Sequence, residues 1–421
     1  MDFKGRTLLM LQGPQSRYFP HLAAELTKHG AKVVKVNLCG GDVLLWGRAP
    51  AGVTTLAYHG RACSWPEYIG QVYQDYQVTD LLVYGDWRPL HQDALLIAKD
   101  RGIKIWVFEE GYLRSGFSTL EQGGVNGRTS LPRSIEEVKA EAALLPAFVP
   151  GRAYVDSIVE KVRFAVLHHM GNVLLFLLFP FYRTHRQHNI LVELLGILPR
   201  YLMRHRRRLH SARTVQQVLS SGRNFYFYPL QLGSDSQIQL YSPYIRQEEA
   251  ITTVIASFAR CAPQDSMLLI KDHPLDNGLI PYARFIRAMA SALGCQERVL
   301  FAADGNVNAL TAKAAGVILV NSTVGLTAIL KDKPVFCLGF SIYALKGLAS
   351  WAGVQSLDDF WTNAQKPEPQ AVDAFCRVLQ SRALIPGNYY CKDGMEDALK
   401  GALCRLARTK TAVSEDGYVR A

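Results

Sequence analysis

Two adjacent carboxylates, Glu109 and Glu110, followed by Gly111 and Tyr112, stand directly after the apolar run Ile103 to Phe108 (Ile-Lys-Ile-Trp-Val-Phe). Such a run reads as an inner strand of a parallel sheet, and ligands of these sheets bind beyond the carboxyl ends of the strands. A carboxylate placed there serves as general acid, general base or nucleophile. Neighbours on an extended chain point opposite ways, so one of the two acids is expected to face the ligand while the other braces the loop. Three loops of the second half carry complementary chemistry. Leu230 to Gln237 is rich in short polar side chains, including Ser236 and Gln237. Lys271-Asp272-His273-Pro274 puts a cation and an imidazole at a strand end, with the proline fixing the turn. Asn321-Ser322-Thr323-Val324-Gly325 opens a helix, where hydroxyls and unpaired N–H groups suit an anion and serve equally as a plain cap. These loops supply cations, donors and a helix N-terminus for one phosphate, with a carboxylate coming from another domain. No acidic cluster with metal spacing is present; a sugar activated by a nucleoside monophosphate has one phosphate to neutralise and needs no divalent ion.

The elements that must position these residues alternate regularly. Strand Leu8 to Leu11, the turn Gln12-Gly13-Pro14, a helix from Arg17 to His29 and strand Val33 to Val36 make a βαβ unit, in which Gly13 allows backbone N–H groups near a ligand. The turn lacks the glycine spacing of a nucleotide phosphate loop. A polar loop, Asn37 to Asp42, follows. A helix over Trp65 to Tyr76, strand Leu81 to Tyr84, the loop Gly85-Asp86-Trp87-Arg88-Pro89 and a helix over Leu90 to Asp100 continue the pattern, so each strand delivers a polar loop to one edge. A second alternation runs from strand Phe225 to Tyr228 through strand Val335 to Leu338, with helices at Gln247 to Cys261, Pro281 to Leu293, Asn306 to Ala314 and Val324 to Leu330 between. After Pro367 the pattern returns to helices, and Thr409 to Ala421 is polar. The expected fold is α/β, with two Rossmann-like domains facing across a cleft in the manner of GT-B glycosyltransferases. The expected boundaries are 1–150 for an acceptor-side domain, 151–215 for a basic helical insertion, 216–365 for a nucleotide-sugar domain and 366–421 for C-terminal helices and a tail.

A chain of 421 residues exceeds one ordinary hydrophobic core, which supports two domains. Its formal charge is +11, and Arg152 to Arg213 carries 11 Lys/Arg against 3 Asp/Glu with six of the eleven histidines. That segment therefore holds +8 of the excess. Val162 to His210 combines Phe176, Phe179, Phe181 and Tyr182 with Arg204, Arg206, Arg207 and Arg208, as an interfacial helix pair on anionic lipid requires; an Arg-rich hairpin packed on the domains has the same composition. A nucleic-acid binder is disfavoured, because the basic residues lie in an apolar segment with no reader motif. The eight cysteines lack metal spacing and read as buried thiols of a reducing compartment. With no signal-peptide layout and no apolar run of spanning length, the expected location is cytoplasmic, peripheral to a membrane.

The motifs Gln12-Gly13-Pro14, Val36-Asn37 with Gly41-Asp42, Gly85-Asp86 with Arg88-Pro89, Phe108 through Arg114, Pro229-Leu230-Gln231 with Ser234 through Gln237, His273-Pro274-Leu275-Asp276 and Asn321 through Leu326 together resemble the KpsS/LipB family of bacterial capsule proteins. The resemblance runs from about residue 7 to 390 in unbroken order. It implies a β-Kdo transferase that uses CMP-Kdo to start an oligo-Kdo linker on a phosphatidylglycerol-type lipid at the inner-membrane surface, with CMP-Kdo as substrate and no cofactor or metal. It also implies kinship with CMP-sialic acid transferases, whose acidic-acidic-Gly and His-Pro motifs match Glu109-Glu110-Gly111 and His273-Pro274. On this resemblance Glu110 is the catalytic carboxylate with Glu109 beside it, and His273, Ser322 and Thr323 attend the CMP phosphate. Lys271, Pro274, Ser236 and Gln237 are donor-side contacts, while Gln12, Gly13, Asp86 and Arg88 face the acceptor or the Kdo carboxylate. Retention through a Glu110 adduct and inversion with Glu110 as base both stay open. Ser115-Gly116-Phe117 departs from the Pro-Asp-Trp expected of relatives, which bears on the shape of the acceptor loop. The rival is a non-catalytic adaptor of capsule export that docks on other assembly proteins.

Overall fold

The structure is a computed structural model that describes residues 1–114, 116–154, 157–184, 196, 199–200, 202–233 and 236–408, without the side chains of Ile158, Ser236 and Gln237. In chain order its strands and helices are β1 (Thr7–Met10), α1 (Tyr18–Lys28), β2 (Lys32–Asn37), α2 (Gly40–Trp46), β3 (Val53–Ala57), α3 (Trp65–Asp75), β4 (Asp80–Tyr84), α4 (Pro89–Asp100), β5 (Lys104–Glu109), β6 (Phe117–Gln122), α5 (Ile135–Ala142) and α6 (Ile158–Leu174). There follow α7 (Arg204–Ser220), β7 (Phe225–Pro229), α8 (Ser236–Tyr241), α9 (Gln247–Cys261), β8 (Met267–Lys271), α10 (Tyr282–Ala292), β9 (Val299–Ala302), α11 (Val307–Lys313), β10 (Gly316–Leu319), α12 (Val324–Ile329) and β11 (Val335–Cys337). The chain ends with β12 (Ser350–Trp351), α13 (Leu357–Asn363), α14 (Pro369–Arg382), β13 (Leu384–Pro386) and α15 (Lys392–Ala407). Two compact units result: Met1–Leu131 with Pro146–His185 and Arg377–Ala421, and Pro132–Leu145 with Arg186–Cys376.

The first unit is built on a sheet of order β13-β6-β5-β4-β1-β2-β3. Its strands are apolar on both sides because helices cover both faces: Leu8 and Met10 of β1 enter one core with Trp106 and Phe108 of β5, while Leu9, Ile105 and Val107 enter the other. The second unit holds a six-stranded sheet, β12-β11-β10-β7-β8-β9, all of whose pairings are parallel. The α/β class with two parallel-rich sheets is thus as expected.

Several elements differ from the sequence reading. β5 is an inner strand, but only β4 pairs with it in parallel; β6 on its other side runs antiparallel. The loop expected at Asn37 to Asp42 becomes the start of α2. Its two glycines belong in a helix because α6 crosses there: a Cβ on Gly40 would lie 2.1 Å from the Gly171 carbonyl oxygen, and one on Gly41 2.2 Å from His168 Nδ1. The chain after Pro367 is not all helix. β13 pairs antiparallel with β6, and its Pro386 is tolerated because β13 is the edge strand. The described residues from 377 to 408 therefore belong to the first unit, not to a separate C-terminal block, and the basic segment is divided, with α6 in the first unit and α7 in the second.

Candidate functional site

Glu109 is the last residue of β5 and Glu110 follows it directly. Glu109 is half-buried and its Oε1 accepts the backbone N–H of Glu110 at 3.0 Å. Burial pushes its carboxyl up to about 7, with the charges of Glu110 and Asp86 adding to the rise and the Glu110 N–H and Arg88 opposing it. Glu110 is the more open of the pair, with a side chain 34% exposed and Arg114 Nη2 at 3.5 Å from its Oε2. The motif needs its glycine, since a Cβ on Gly111 would sit 1.9 Å from the Phe117 carbonyl oxygen. Tyr389, brought by the C-terminal segment, donates to the backbone carbonyls of Glu109 and Thr119 at 3.2 Å and packs on Tyr18 at 4.6 Å between ring centroids. Sequence reading missed this brace, because nothing near Tyr389 marks it as a partner of a strand 280 residues away.

Around the acids the loops of β1, β2 and β4 form a buried polar network. Gln12 Nε2 lies 3.2 Å from Asp42 Oδ1, 3.5 Å from Cys39 Sγ and 3.4 Å from the Tyr182 hydroxyl, while its Oε1 accepts from Arg88 Nη1 at 3.2 Å. Lys35 is buried with its ammonium 3.9 Å from Asp42 Oδ2, and burial holds its pKa below the usual lysine range. Asp86 is fully buried and accepts from the Val125 N–H at 3.1 Å, so it secures the loop from within rather than meeting a ligand. Burial raises its pKa. Gly13 serves packing: a Cβ there would lie 2.7 Å from the Phe19 ring. Gln12 and the half-buried Arg88 also wall a cavity of about 130 Å³ with Tyr58, His59, Phe179 and Tyr182. Within the network Cys39, Asp42 and His168 have potential ligand atoms within 4.8 Å of one another, but the Lys35 ammonium already supplies the positive charge beside Asp42.

The second unit presents a different set. His273 follows β8, and its Nδ1 accepts the Leu275 N–H at 3.1 Å, which leaves the proton of the neutral ring on Nε2. Pro274 is exposed beside it. Lys271 does not stand at the open edge: it is buried and donates to the Asp272 carbonyl at 2.9 Å, with its pKa lowered by burial. Its last place in a strand buried on both faces explains this correction. Gln231 donates from Nε2 to Asn321 Oδ1 at 2.9 Å and its Oε1 accepts the Asn321 backbone N–H at 3.0 Å, which joins the loops after β7 and β10. Ser322 Oγ accepts the Val324 N–H at 3.3 Å, Thr323 makes no side-chain cap bond, and α12 is only six residues long. The capping use is thus present, the Ser322 hydroxyl proton remains a donor, and the dipole is that of a short helix. Ser236 and Gln237 open α8; their side chains lie outside the described residues.

The basic segment is two-sided. On α7, Arg204, Arg206 and Arg208 are exposed, whereas Arg207 turns inward to Asp272 at 3.3 Å. That corrects the expectation of a uniform lipid-facing arginine cluster. On α6 and the turn after it, Val159, Val162, Val166, Met170, Val173 and Leu177 are all exposed, at helical spacing of three or four. No helix among the described residues is long and apolar enough to cross a membrane. Four of the cysteines are buried, while Cys63 and Cys404 are exposed.

Residues 79–390 match the family described as capsule polysaccharide biosynthesis protein. Over 395 residues the chain is 30% identical to the capsule polysaccharide export protein KpsS of Escherichia coli, covering 92% of this chain and 97% of that protein. It is 28% identical over 403 residues to the capsule polysaccharide modification protein LipB of Neisseria meningitidis, covering 91% of each. A solved structure, the beta Kdo 2,7 transferase KpsC of Thermosulfurimonas dismutans, aligns over 96% of this chain and 100% of that one with a TM-score of 0.47 and 13% identity, a likeness too distant to bear on the reaction. The family match takes in the Glu109-Glu110 pair, the His273-Pro274 turn and the Ser322 loop alike, and the chain belongs to the capsule polysaccharide biosynthesis protein family.

Proposed function

We propose that the protein is a glycosyltransferase that moves Kdo from CMP-Kdo to a (lyso)phosphatidylglycerol-type lipid and so starts the linker of a capsular polysaccharide at the cytoplasmic face of the inner membrane. The observation that carries this reading is the division of labour at the end of β5. Glu109 is drawn in and holds the Glu110 backbone, while Glu110 keeps an open carboxylate. As nucleophile, Glu110 attacks the anomeric carbon as the bond to the CMP phosphate breaks, and the acceptor hydroxyl then displaces it with overall retention. As general base it takes the acceptor hydroxyl proton in one inverting step. In either case the His273 Nε2–H and the Ser322 hydroxyl donate to the departing phosphate, with Thr323, Pro274, Ser236 and Gln237 completing the donor side. Gln12 and Arg88 border the aromatic cavity on the acceptor side, held by Gly13 and Asp86. The chemistry routes no step through a metal, so a chelator is expected to leave turnover unchanged.

The exposed apolar stripe of α6 in the first unit fits an anionic lipid surface through buried apolar area, and the outward arginines of α7 in the second fit one through charge attraction. The same stripe fits a protein partner, and the Escherichia coli relative is named an export protein, which favours the adaptor as second reading. Purified protein incubated with CMP-Kdo and a glycerolipid acceptor separates the two. Acceptor-dependent CMP release supports the transferase; none, with tight binding to another capsule assembly protein, supports the adaptor.

A further inference from the structure

The ion pairs around His273 have no part in the roles assigned above. We propose that Arg200 and Arg207 are positioning residues that clamp the two carboxylates flanking His273, Asp272 and Asp276, and so hold its Nε2–H toward the leaving phosphate. The inference rests on the donor-side role given to His273. Arg200 spans both acids, with Nη2 at 2.6 Å from Asp272 Oδ2 and Nη1 on Asp276 Oδ1, and Arg207 Nη2 reaches the same Asp272 oxygen at 3.3 Å. Both carboxylates are buried, and burial together with the neighbouring Asp272 charge raises the pKa of Asp276. Two buried acids so close need a cation between them, and removal of one partner leaves an uncompensated charge.

The turn is tied on both sides of the imidazole. The Asp272 N–H donates to the Ala302 carbonyl at 2.9 Å and the Asp276 N–H to the His273 carbonyl at 3.1 Å, while Asp276 Oδ1 accepts from the Gly278 N–H at 2.8 Å. Gly278, at φ +76°, lets the arm of Arg200 pass: a Cβ there would lie 2.5 Å from Arg200 Cδ. Inside this frame the Leu275 N–H meets His273 Nδ1 and fixes the tautomer. A planar guanidinium suits the task because its fork reaches two carboxylates at once, which an ammonium does not. Arg207 lies on α7 four residues before Ser211, whose hydroxyl accepts from the Ala303 and Asp304 N–H groups at 3.0 and 3.1 Å, so this helix face is fastened to the loop after β9 as well.

The test reads the ring itself. Long-range proton–nitrogen NMR of the imidazoles, with His273→Gln identifying the signal, is run on wild type, Arg200→Ala, Arg200→Lys and Asp276→Asn, beside turnover of CMP-Kdo with a short water-soluble acceptor. Wild type is expected to show the Nε2–H tautomer. Arg200→Ala is expected to show averaged tautomers and a kcat lowered by about tenfold or more, with KM for CMP-Kdo changed far less, since a misplaced group costs rate more than binding. Arg200→Lys should fall between the two. If Arg200→Ala does not fold, Arg200→Lys and Asp276→Asn decide on the same criteria. A wild-type ring pattern and turnover retained in the variants overturns the clamp. A ring pattern lost in the variants, with wild type inactive on CMP-Kdo, upholds the clamp and removes the donor reading.

Discussion

The carboxyl edges of the two sheets come from the same winding of strand and helix, yet they bury opposite chemistry. At the first edge burial dominates: it pushes Glu109 up to about 7, raises Asp86 and lowers Lys35, whose ammonium lies 3.9 Å from Asp42. At the second edge the buried groups form ion pairs, Arg200 and Arg207 with Asp272 and Asp276, while His273 and Ser322 stand in the loops after β8 and β10. A carboxyl kept close to titration, as Glu109 is, suits proton transfer, whereas a rigid ionic frame beside hydrogen-bond donors suits holding a phosphate. The fold supplies two equivalent edges, and the loops decide what each does.

The sharpest way to break this comparison is Glu110→Gln, which keeps the shape and removes the charge. Turnover is expected to fall by on the order of a thousandfold or more, with CMP binding intact. Near wild-type turnover would sink the assignment of acid chemistry to the first edge. At the second edge, His273→Ala and Ser322→Ala each remove a donor to a charged group worth roughly 1.5 to 3 kcal/mol, so CMP affinity should drop about tenfold to a hundredfold. Unchanged affinity by calorimetry in both variants would move the nucleotide site elsewhere.

Much of this was legible because it rests on local pattern. The strands β1, β2, β4, β5, β7, β8 and β10 are apolar runs ended by polar loops, and α9 was readable to its last residue. What escaped has no local signature. β13 is three residues long and pairs with a strand far away in sequence, and Gly40-Gly41 reads as a loop unless the crossing of α6 is known. Lys271 and Arg207 read as exposed cations because charge normally seeks water, and only the fold shows the carbonyl and the carboxylate that receive them. The acid pair and the His-Pro turn were visible; the residues that hold them, Tyr389, Arg200 and Asp276, were not.

Glu109 offers a measurement of the first edge that does not depend on the substrate. Its folded-state pKa, about 7, lies above the ordinary 4.5, so between those values the folded protein retains a proton that the unfolded chain has lost. Stability should therefore fall as pH rises from about 4.5 toward about 7 and level off above. Glu109→Gln removes this group's part of the slope and should stabilise the protein at pH 7.5 by roughly 1 to 3 kcal/mol, allowing for its partial exposure. Denaturant unfolding at pH 5, 6 and 7.5 checks it. A variant with the wild-type pH slope would show that Glu109 stays ionised in the folded state.

The smallest effect concerns the outward face of α7, where the question is whether charge alone, away from both edges, contributes to membrane attachment. Arg204, Arg206 and Arg208 are exposed, and each cation near an anionic surface contributes on the order of 1 kcal/mol before salt screening. Arg207 must be left in place, because it reaches Asp272 and its loss would disturb the His273 turn as well. The triple change to Gln should lower sedimentation with phosphatidylglycerol vesicles several-fold and make the residual binding less sensitive to salt. The apolar stripe of α6 should sustain that remainder, so Val166→Asp with Val173→Asp is expected to reduce it further. Turnover of a water-soluble acceptor should survive the triple arginine change, since no residue assigned to either edge is altered. If vesicle binding did not change, α7 would be a solvated face only. If soluble-acceptor turnover fell with vesicle binding, the outward arginines would belong to the same ionic frame as Arg200 and Arg207, and the two faces of α7 would not be separable.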